Sequence, residues 1–319
     1  MMIRIIVLYN KYALETILSI VMSNFSAGAS NHQLAADKSS KTFCIIGDPV
    51  EHSLSPLMHN AAFKYLNLNH SYIAFKVKVN ELKESVESLR DINVTGFNVT
   101  IPHKVEITRY VDRLSHEASL AGAVNTVKNE DGIFVGYNTD IYGLMAPIEE
   151  RLSNFGGIEI LILGAGGSSR AALVGLSTKK GIKSIFIVNR DQQKLSKVIE
   201  LGNTLGLNCI PMEYLNHEKL SQISSQCKLI INTTSVGLNN EKSLVSSESM
   251  DNDSIVFDII YKPIMTDLLV CAKRANAKVI FGYEMLLNQG YKSFEIWTGL
   301  NAPREVMRKA LLGIFGEPK

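Results

Sequence analysis

From Lys41 onward, short apolar runs alternate with segments whose apolar positions recur at helical spacing. Thr42–Ile46 is a nearly unbroken apolar run closed by a glycine, the pattern of a buried strand. In Pro56–Leu66 the residues Leu57, Met58, Ala61, Ala62 and Tyr65 share helical spacing, and Pro56 suits a first turn. The pattern then predicts a strand at Tyr72–Val77, a helix at Asn80–Leu89 and a strand at Val94–Val99. A helix from His103, another around Glu117–Ala121, and strands near Val124–Val127 and Ile133–Val135 follow. This alternation predicts an α/β unit with a mostly parallel sheet.

A second α/β unit begins near Ile158. Its strands are Ile158–Leu163, Ser184–Val188, Leu229–Ile231 and Ile255–Ile259, with Lys278–Phe281 closing the sheet. Ser168–Lys180 reads as a helix, and Met285–Trp297 and Pro303–Phe315 read as amphipathic helices. The boundary between the units falls along a helix from Asp140 to Leu152. The fold class is therefore α/β with two domains, and 319 residues suffice for both.

Gly164-Ala165-Gly166-Gly167-Ser168-Ser169-Arg170 lies between a strand and a helix, where a dinucleotide-binding turn belongs. Glycines let the backbone approach a pyrophosphate placed at the positive end of the helix. Ser169 stands at the third glycine position, and a tight turn without a ligand is the plain alternative. After the next strand, Asn189-Arg190 occupies the place where an acidic residue would favour NAD. Arg190 and Lys194 suit the 2′-phosphate of NADP instead, or are ordinary solvated charges. Asp191 cuts both ways, because it can weaken phosphate binding or accept a ribose hydroxyl.

Charge narrows the function classes. With 33 basic and 31 acidic residues and no long run of one sign, nothing points to nucleic acid or an anionic membrane. Four scattered cysteines, Cys44, Cys209, Cys227 and Cys271, form no C-x-x-C and fit a reducing, cytoplasmic compartment. Ile3–Val21 is apolar but interrupted by Arg4, Asn10, Lys11 and Glu15, which makes it a poor membrane span. The same interruptions argue against a signal peptide, despite the small residues Ala27-Gly28-Ala29. Ser23–Ser40 reads as a flexible tail, so residues 1–40 are set aside as an extension.

Three polar clusters carry candidate chemistry. Ser53 and Ser55 precede a helix, where they cap it or hold a carboxylate; from this segment alone capping wins. Asn98 and Thr100 share one face of a strand end. Lys104 opens the helix predicted from His103, a place where a cation is disfavoured, so a lowered pKa and an acid/base role are expected, with an ordinary solvent-exposed lysine as the plain alternative. Asp140 lies at another strand-to-helix junction and is a plain N-cap or a partner for that lysine. A lysine and an aspartate on one hydroxyl would suit alcohol oxidation, with hydride leaving from carbon. His52, His59 and His103 form no ligand-spaced cluster, which disfavours a metal-dependent dehydrogenase.

From about Phe43 to its C-terminus, the chain resembles the shikimate dehydrogenase family. The motifs in order are GDPVEHSLSPLMHN, GFNVTIPHK, AGAVNT, GYNTD, GAGGSSR, NR, NTTSVG, DIIYKP and MLLNQG. The resemblance implies that Ser53 and Ser55 hold the substrate carboxylate and that Lys104 and Asp140 form the catalytic pair. It places Asn98, Thr100 and Asn125 on the substrate ring and hydroxyls, with Tyr261 and Gln289 reaching in from the cofactor side and the C-terminal helix. Gly164, Ala165, Gly166, Gly167 and Ser168 would cradle the pyrophosphate, and Asn189, Arg190 and Lys194 would clamp the adenosine phosphate. Thr233, Ser235, Ile259 and Gly282 would line the nicotinamide side.

The same resemblance implies that the C-terminal helices pack back on the first domain. The expected division is residues 41–139 plus 286–319 for substrate and a Rossmann-like domain of residues 140–285 for NADP, with substrate in the cleft between them. The implied activity is NADPH-dependent reduction of 3-dehydroshikimate to shikimate, a step toward chorismate and the aromatic amino acids. Expected partners are small molecules only, with a homodimer as the assembly to test. Two alternatives stand beside this: an NAD-dependent quinate/shikimate dehydrogenase, and a non-catalytic NADP-binding regulatory homologue. Departures from the family pattern are Thr266-Asp267, where Thr-Pro is common, Asp191, and the N-terminal extension.

Overall fold

The computed structural model describes residues 40–214 and 216–315, so the expected tail ahead of them lies outside the described residues. β1 (Lys41–Gly47) sits inside a six-stranded sheet and feeds both of its faces. Its alternate residues diverge, with Phe43 and Ile45 in one core and Cys44 and Ile46 in the other, as the two-residue period of a strand requires. Parallel to it run β2 (His70–Lys76) and β3 (Gly96–Val99). Beyond β3 lie β5 (Thr126–Glu130), antiparallel to both neighbours, then β6 (Ile133–Tyr137) and the short β4 (Arg113–Leu114).

α1 (Ser55–Tyr65), α9 (Gly282–Thr298) and α10 (Arg304–Leu312) cover one face of this sheet. Their shared core holds Met58, Phe63, Tyr72, Leu287, Phe294, Trp297, Met307 and Leu311 with Phe43. α2 (Leu82–Asp91) covers the opposite face through Leu82, Val86 and Leu89. α3 (His116–Ala121) ends on Gly122 in the left-handed region.

The helix predicted from His103 is absent. Residues 101–105 form turns, and only a single 3₁₀ turn follows at Glu106–Arg109. Tertiary bonds displace the helix: the Lys104 carbonyl accepts from Val124 N at 2.7 Å, and buried His103 places Nε2 2.7 Å from the Val77 carbonyl.

The second sheet is wholly parallel, ordered β9-β8-β7-β10-β11-β12. Its strands are β7 (Glu159–Leu163), β8 (Ser184–Val188), β9 (Cys209–Met212), β10 (Leu229–Asn232), β11 (Ile255–Asp258) and β12 (Lys278–Ile280). Strand order reverses between β7 and β10, the crevice where open α/β sheets take their ligands. α4 (Asp140–Glu149) leads into this half, and α5 (Gly167–Ser177) follows β7.

Between Val188 and Leu229 the structure adds β9, α6 (Gln192–Thr204) and α7 (His217–Ser224), and α8 (Asp267–Arg274) later, none of which the apolar spacing predicts. α6 buries only Leu195, Val198 and Gly202, too thin a stripe to stand out. Thr266, at the departure from the family pattern, caps α8 by accepting from Leu269 N and donates to Asp258 Oδ2 at 2.7 Å.

α9 serves both halves. Met285 joins the core under the second sheet with Leu144, Met145 and Ile148 of α4, while Leu287, Tyr291, Phe294 and Trp297 join the first.

Candidate active site

Asp140 is the first residue of α4, and its carboxylate turns away from capping. Oδ2 lies 2.6 Å from Lys104 Nζ, and Oδ1 accepts from Asn125 Nδ2 at 2.9 Å. Their side chains are nearly withdrawn from water, at 16% exposure for Lys104 and 4% for Asp140. The N-cap is Thr139, without a side-chain cap bond, so the plain capping alternative for Asp140 does not hold. With no helix beginning at His103, Lys104 faces no helix terminus; it faces the Asp140 carboxylate.

Ser53 and Ser55 sit where β1 hands over to α1. Ser55 is buried and Ser53 half-buried, and Ser53 Oγ accepts from Ser55 N at 3.3 Å. The N-cap of α1 is Leu54 with no side-chain cap bond, so neither serine hydroxyl caps the helix and the capping expectation does not hold. Lys76 steadies the loop from outside by reaching Asp48 at 3.3 Å and Glu51 at 3.0 Å. Thr100 closes the neighbouring turn, its N–H bonded to the Ile46 carbonyl at 2.9 Å.

Beneath the pair lies a buried polar network. Asn98 accepts from Tyr72 Oη at 2.6 Å and shares its two N–H groups among Asn125 O, Thr126 Oγ1 and Ser293 Oγ, all inside the protein. Asn125 Nδ2 also faces Gln289 Oε1 at 3.4 Å, which brings the C-terminal helix to Asp140. Thr126 and Thr139 lie inside the AGAVNT and GYNTD motifs without a role of their own there, and Ser293 lies outside every motif quoted above. A signal exists for Ser293, which sits four residues after Gln289 and so on the same helical face.

The glycine loop stands across the cleft. Gly164 has φ +111°, and a Cβ there would meet Thr233 Oγ1 at 2.6 Å, so the close approach of the β7 and β10 loops needs glycine. Thr233 Oγ1 donates to the Leu163 carbonyl at 2.7 Å, and Ser169, wholly buried, bonds Thr233 Oγ1 at 2.8 Å and accepts from Gly166 N at 3.0 Å. A Cβ on Gly166 would meet nothing within 4 Å, which leaves room for a diphosphate over the first turn of α5. One on Gly167 would meet Lys104 Cβ at 3.3 Å, so the loop and the lysine stem are neighbours. The residues present fit a dinucleotide.

Asp191 has a defined task. It is the N-cap of α6 and accepts from Gln193 N and Lys194 N, both at 3.0 Å. The Lys194 N–H and then its charge hold the carboxyl below the usual carboxylate range. Arg190 and Lys194 remain exposed beside it, while Asn189 Nδ2 donates to the Asp191 carbonyl at 2.9 Å. Gly282 starts α9, Ser235 is exposed after β10, and half-buried Ile259 follows β11. Tyr261 packs against the first core, where burial pushes its phenol upward.

Among the described residues no helix is long and apolar enough to cross a membrane. The family model described as "Shikimate dehydrogenase substrate binding domain" matches residues 45–127, and "Shikimate 5'-dehydrogenase C-terminal domain" matches residues 282–312. A shikimate dehydrogenase (NADP(+)) of Nitrosopumilus maritimus is 45% identical over 275 residues, covering 86% of this chain and 99% of that protein. The Listeria monocytogenes shikimate 5-dehydrogenase, solved with shikimate and NAD, superposes with TM-score 0.78 at 35% identity, over 88% of this chain and all of that one (100%). The Thermus thermophilus enzyme, solved with NADP(H) and shikimate, gives TM-score 0.74 at 32% identity, covering 85% and 98% of the two chains.

Proposed function

The chain belongs to the shikimate dehydrogenase family, and from that premise we propose that it catalyses the reversible reduction of 3-dehydroshikimate to shikimate with Lys104 as the proton-transfer group. The observation that carries this reading is the Lys104–Asp140 pair, 2.6 Å apart and set against the glycine loop. When bound, NADPH supplies the hydride. Lys104 Nζ donates a proton to the developing alkoxide, and Asp140 holds the ammonium in place and offsets its charge. Ser53 and Ser55 take the ring carboxylate. Thr100, Asn125, Tyr261 and Gln289 surround the hydroxyls, and Asn98 forms the floor beneath Asn125.

Arg190 and Lys194 would grip a 2′-phosphate, with Asn189 fixing the turn. Gly164 to Ser168 would hold the diphosphate, and Thr233, Ser235, Ile259 and Gly282 would border the nicotinamide. Residues 41–139 plus 286–319 act as the substrate part and 140–285 as the cofactor part, in a cytoplasmic enzyme with small-molecule partners.

A spectrophotometric assay with shikimate and quinate, each with NADP and NAD, tests the reading. The expected result is dominant turnover of shikimate with NADP. A large NAD preference with quinate turnover would move the chain to a quinate/shikimate dehydrogenase, and no turnover at all would leave the regulatory alternative.

A further inference from the structure

Three hydroxyls from three separate elements meet below the Lys104–Asp140 pair. Thr126 Oγ1 at the start of β5 lies 2.9 Å from Ser293 Oγ on α9 and 3.1 Å from Thr139 Oγ1 ahead of α4, and Thr139 Oγ1 lies 3.0 Å from Ser293 Oγ. None is more than 2% exposed. Apolar side chains would pack these elements together equally well. What hydroxyls add is direction, because each carries one proton and can both accept and donate.

That direction can be traced. Asn98 Nδ2 offers its two N–H groups to three acceptors, Thr126 Oγ1, Ser293 Oγ and the Asn125 carbonyl. Amide N–H groups cannot accept, so the hydroxyls must pass their own protons onward. Two acceptors outside the trio lie within reach of those protons: the Gln289 carbonyl, 2.9 Å from Ser293 Oγ, and Asn125 Oδ1, 3.2 Å from both threonine hydroxyls. The Thr139 backbone N–H adds a further donor to Asn125 Oδ1 at 2.7 Å. Asn125 is thereby left with its N–H, not its carbonyl, facing Asp140 Oδ1 and Gln289 Oε1. The reversed amide would set a carbonyl against a carboxylate and N–H against N–H.

We propose that Thr126, Thr139 and Ser293 are positioning residues, a hydroxyl junction that aims the Asn125 amide at Asp140 and sets Gln289 on α9 in register with the Lys104–Asp140 pair. The inference rests on that pair being the catalytic one. Buried to within 2% of completely, the three hydroxyls act through Asn125 and Asp140.

Paired variants of the full chain test it, with kcat, both KM values and the thermal midpoint measured for each. Thr126→Val keeps the shape and removes the hydroxyl, whereas Thr126→Ser keeps the hydroxyl. Thr126→Val should lower kcat about tenfold, the scale of a slightly misplaced catalytic group. KM for shikimate and for NADP should stay within about twofold, as for an interaction expressed mainly in the transition state. Thr126→Ser should restore kcat. Ser293→Ala, which removes a single oxygen, should repeat the pattern and carries the test if Thr126→Val does not fold. The junction is overturned if Thr126→Val and Ser293→Ala lose only thermal stability at unchanged kcat, or if Thr126→Ser is as slow as Thr126→Val. Failure of the underlying reading looks different: Lys104→Ala would then turn over normally, whatever the hydroxyl variants do.

Discussion

Lys104 Nζ and Asp140 Oδ2 stand 2.6 Å apart although 36 residues separate them along the chain. Lys104 comes from an irregular turn and Asp140 from the first position of α4, so neither element alone makes the pair. Both side chains are largely out of water, where an ion pair is directional and removal of one partner strands the other charge. Asn125 binds the second carboxylate oxygen, so both oxygens of Asp140 are held. The stem of this lysine is in turn the neighbour of the glycine loop, since a Cβ on Gly167 would meet Lys104 Cβ at 3.3 Å.

Lys104→Ala is expected to lower turnover by about two to four decades, the usual scale for a lost acid/base group. Shikimate affinity, measured by calorimetry, should change far less. Near-normal turnover in the variant would remove Lys104 from the chemistry.

Asp191 offers a separation of charge from structure. Asp191→Ser keeps a side-chain acceptor for the N-terminus of α6 but removes the negative charge beside Arg190 and Lys194. KM for NADP should fall about two- to fivefold, the scale of one solvent-exposed charge interaction, while KM for NAD holds. Asp191→Ala should give the same cofactor effect with a lower thermal midpoint. Equal KM shifts for NAD and NADP would show that the charge does not read the phosphate.

His59 should make stability depend on pH. Its ring is fully buried, stacked 4.6 Å from Tyr72, with neither nitrogen hydrogen-bonded among the described residues. Burial pushes its pKa down to about 3. The unfolded chain takes up that proton near pH 6.5, so this contribution to stability is complete above that pH and is lost as pH falls toward the folded value. Between pH 6.5 and 5 the loss is roughly 2 kcal/mol. Urea midpoints at pH 7 and pH 5 should converge in His59→Phe; an unchanged pH slope in that variant would assign the effect to other groups.

Gly96 is the contact point of β3 with Trp297. A Cβ there would lie 2.4 Å from Trp297 Nε1, which donates to the Val127 carbonyl at 2.9 Å. Gly96→Ala should cost about 1–3 kcal/mol through overpacking. Trp297 is the one tryptophan of the chain, so its fluorescence reports the displacement directly. A variant with native emission and an unchanged urea midpoint would show that the sheet absorbs the methyl group.

Local chemistry explains what was legible in advance. The strands around Phe43–Ile46 and Leu161–Leu163 announce themselves as apolar runs, and Gly164 to Gly167 mark the turn after β7, because burial and backbone freedom are properties of neighbouring residues. α6 and α7 escape the same logic, since their buried stripes are thin and their exposed faces polar. The expected helix after His103 goes wrong for a related reason. Nothing nearby in sequence says that Val124 N–H will claim the Lys104 carbonyl.

The sequence by itself determined two α/β units, the glycine turn, the ordered polar motifs and, through those motifs, the resemblance to the family. Only the tertiary structure decided that Asp140 faces Lys104 rather than capping its helix, that Asp191 caps α6, and that Ser293 bonds Asn98 across 195 positions of chain. Periodicity records which side of an element is buried. It carries no record of which distant side chain will fill the space opposite, and the hydrogen bonds that build this site are settled there.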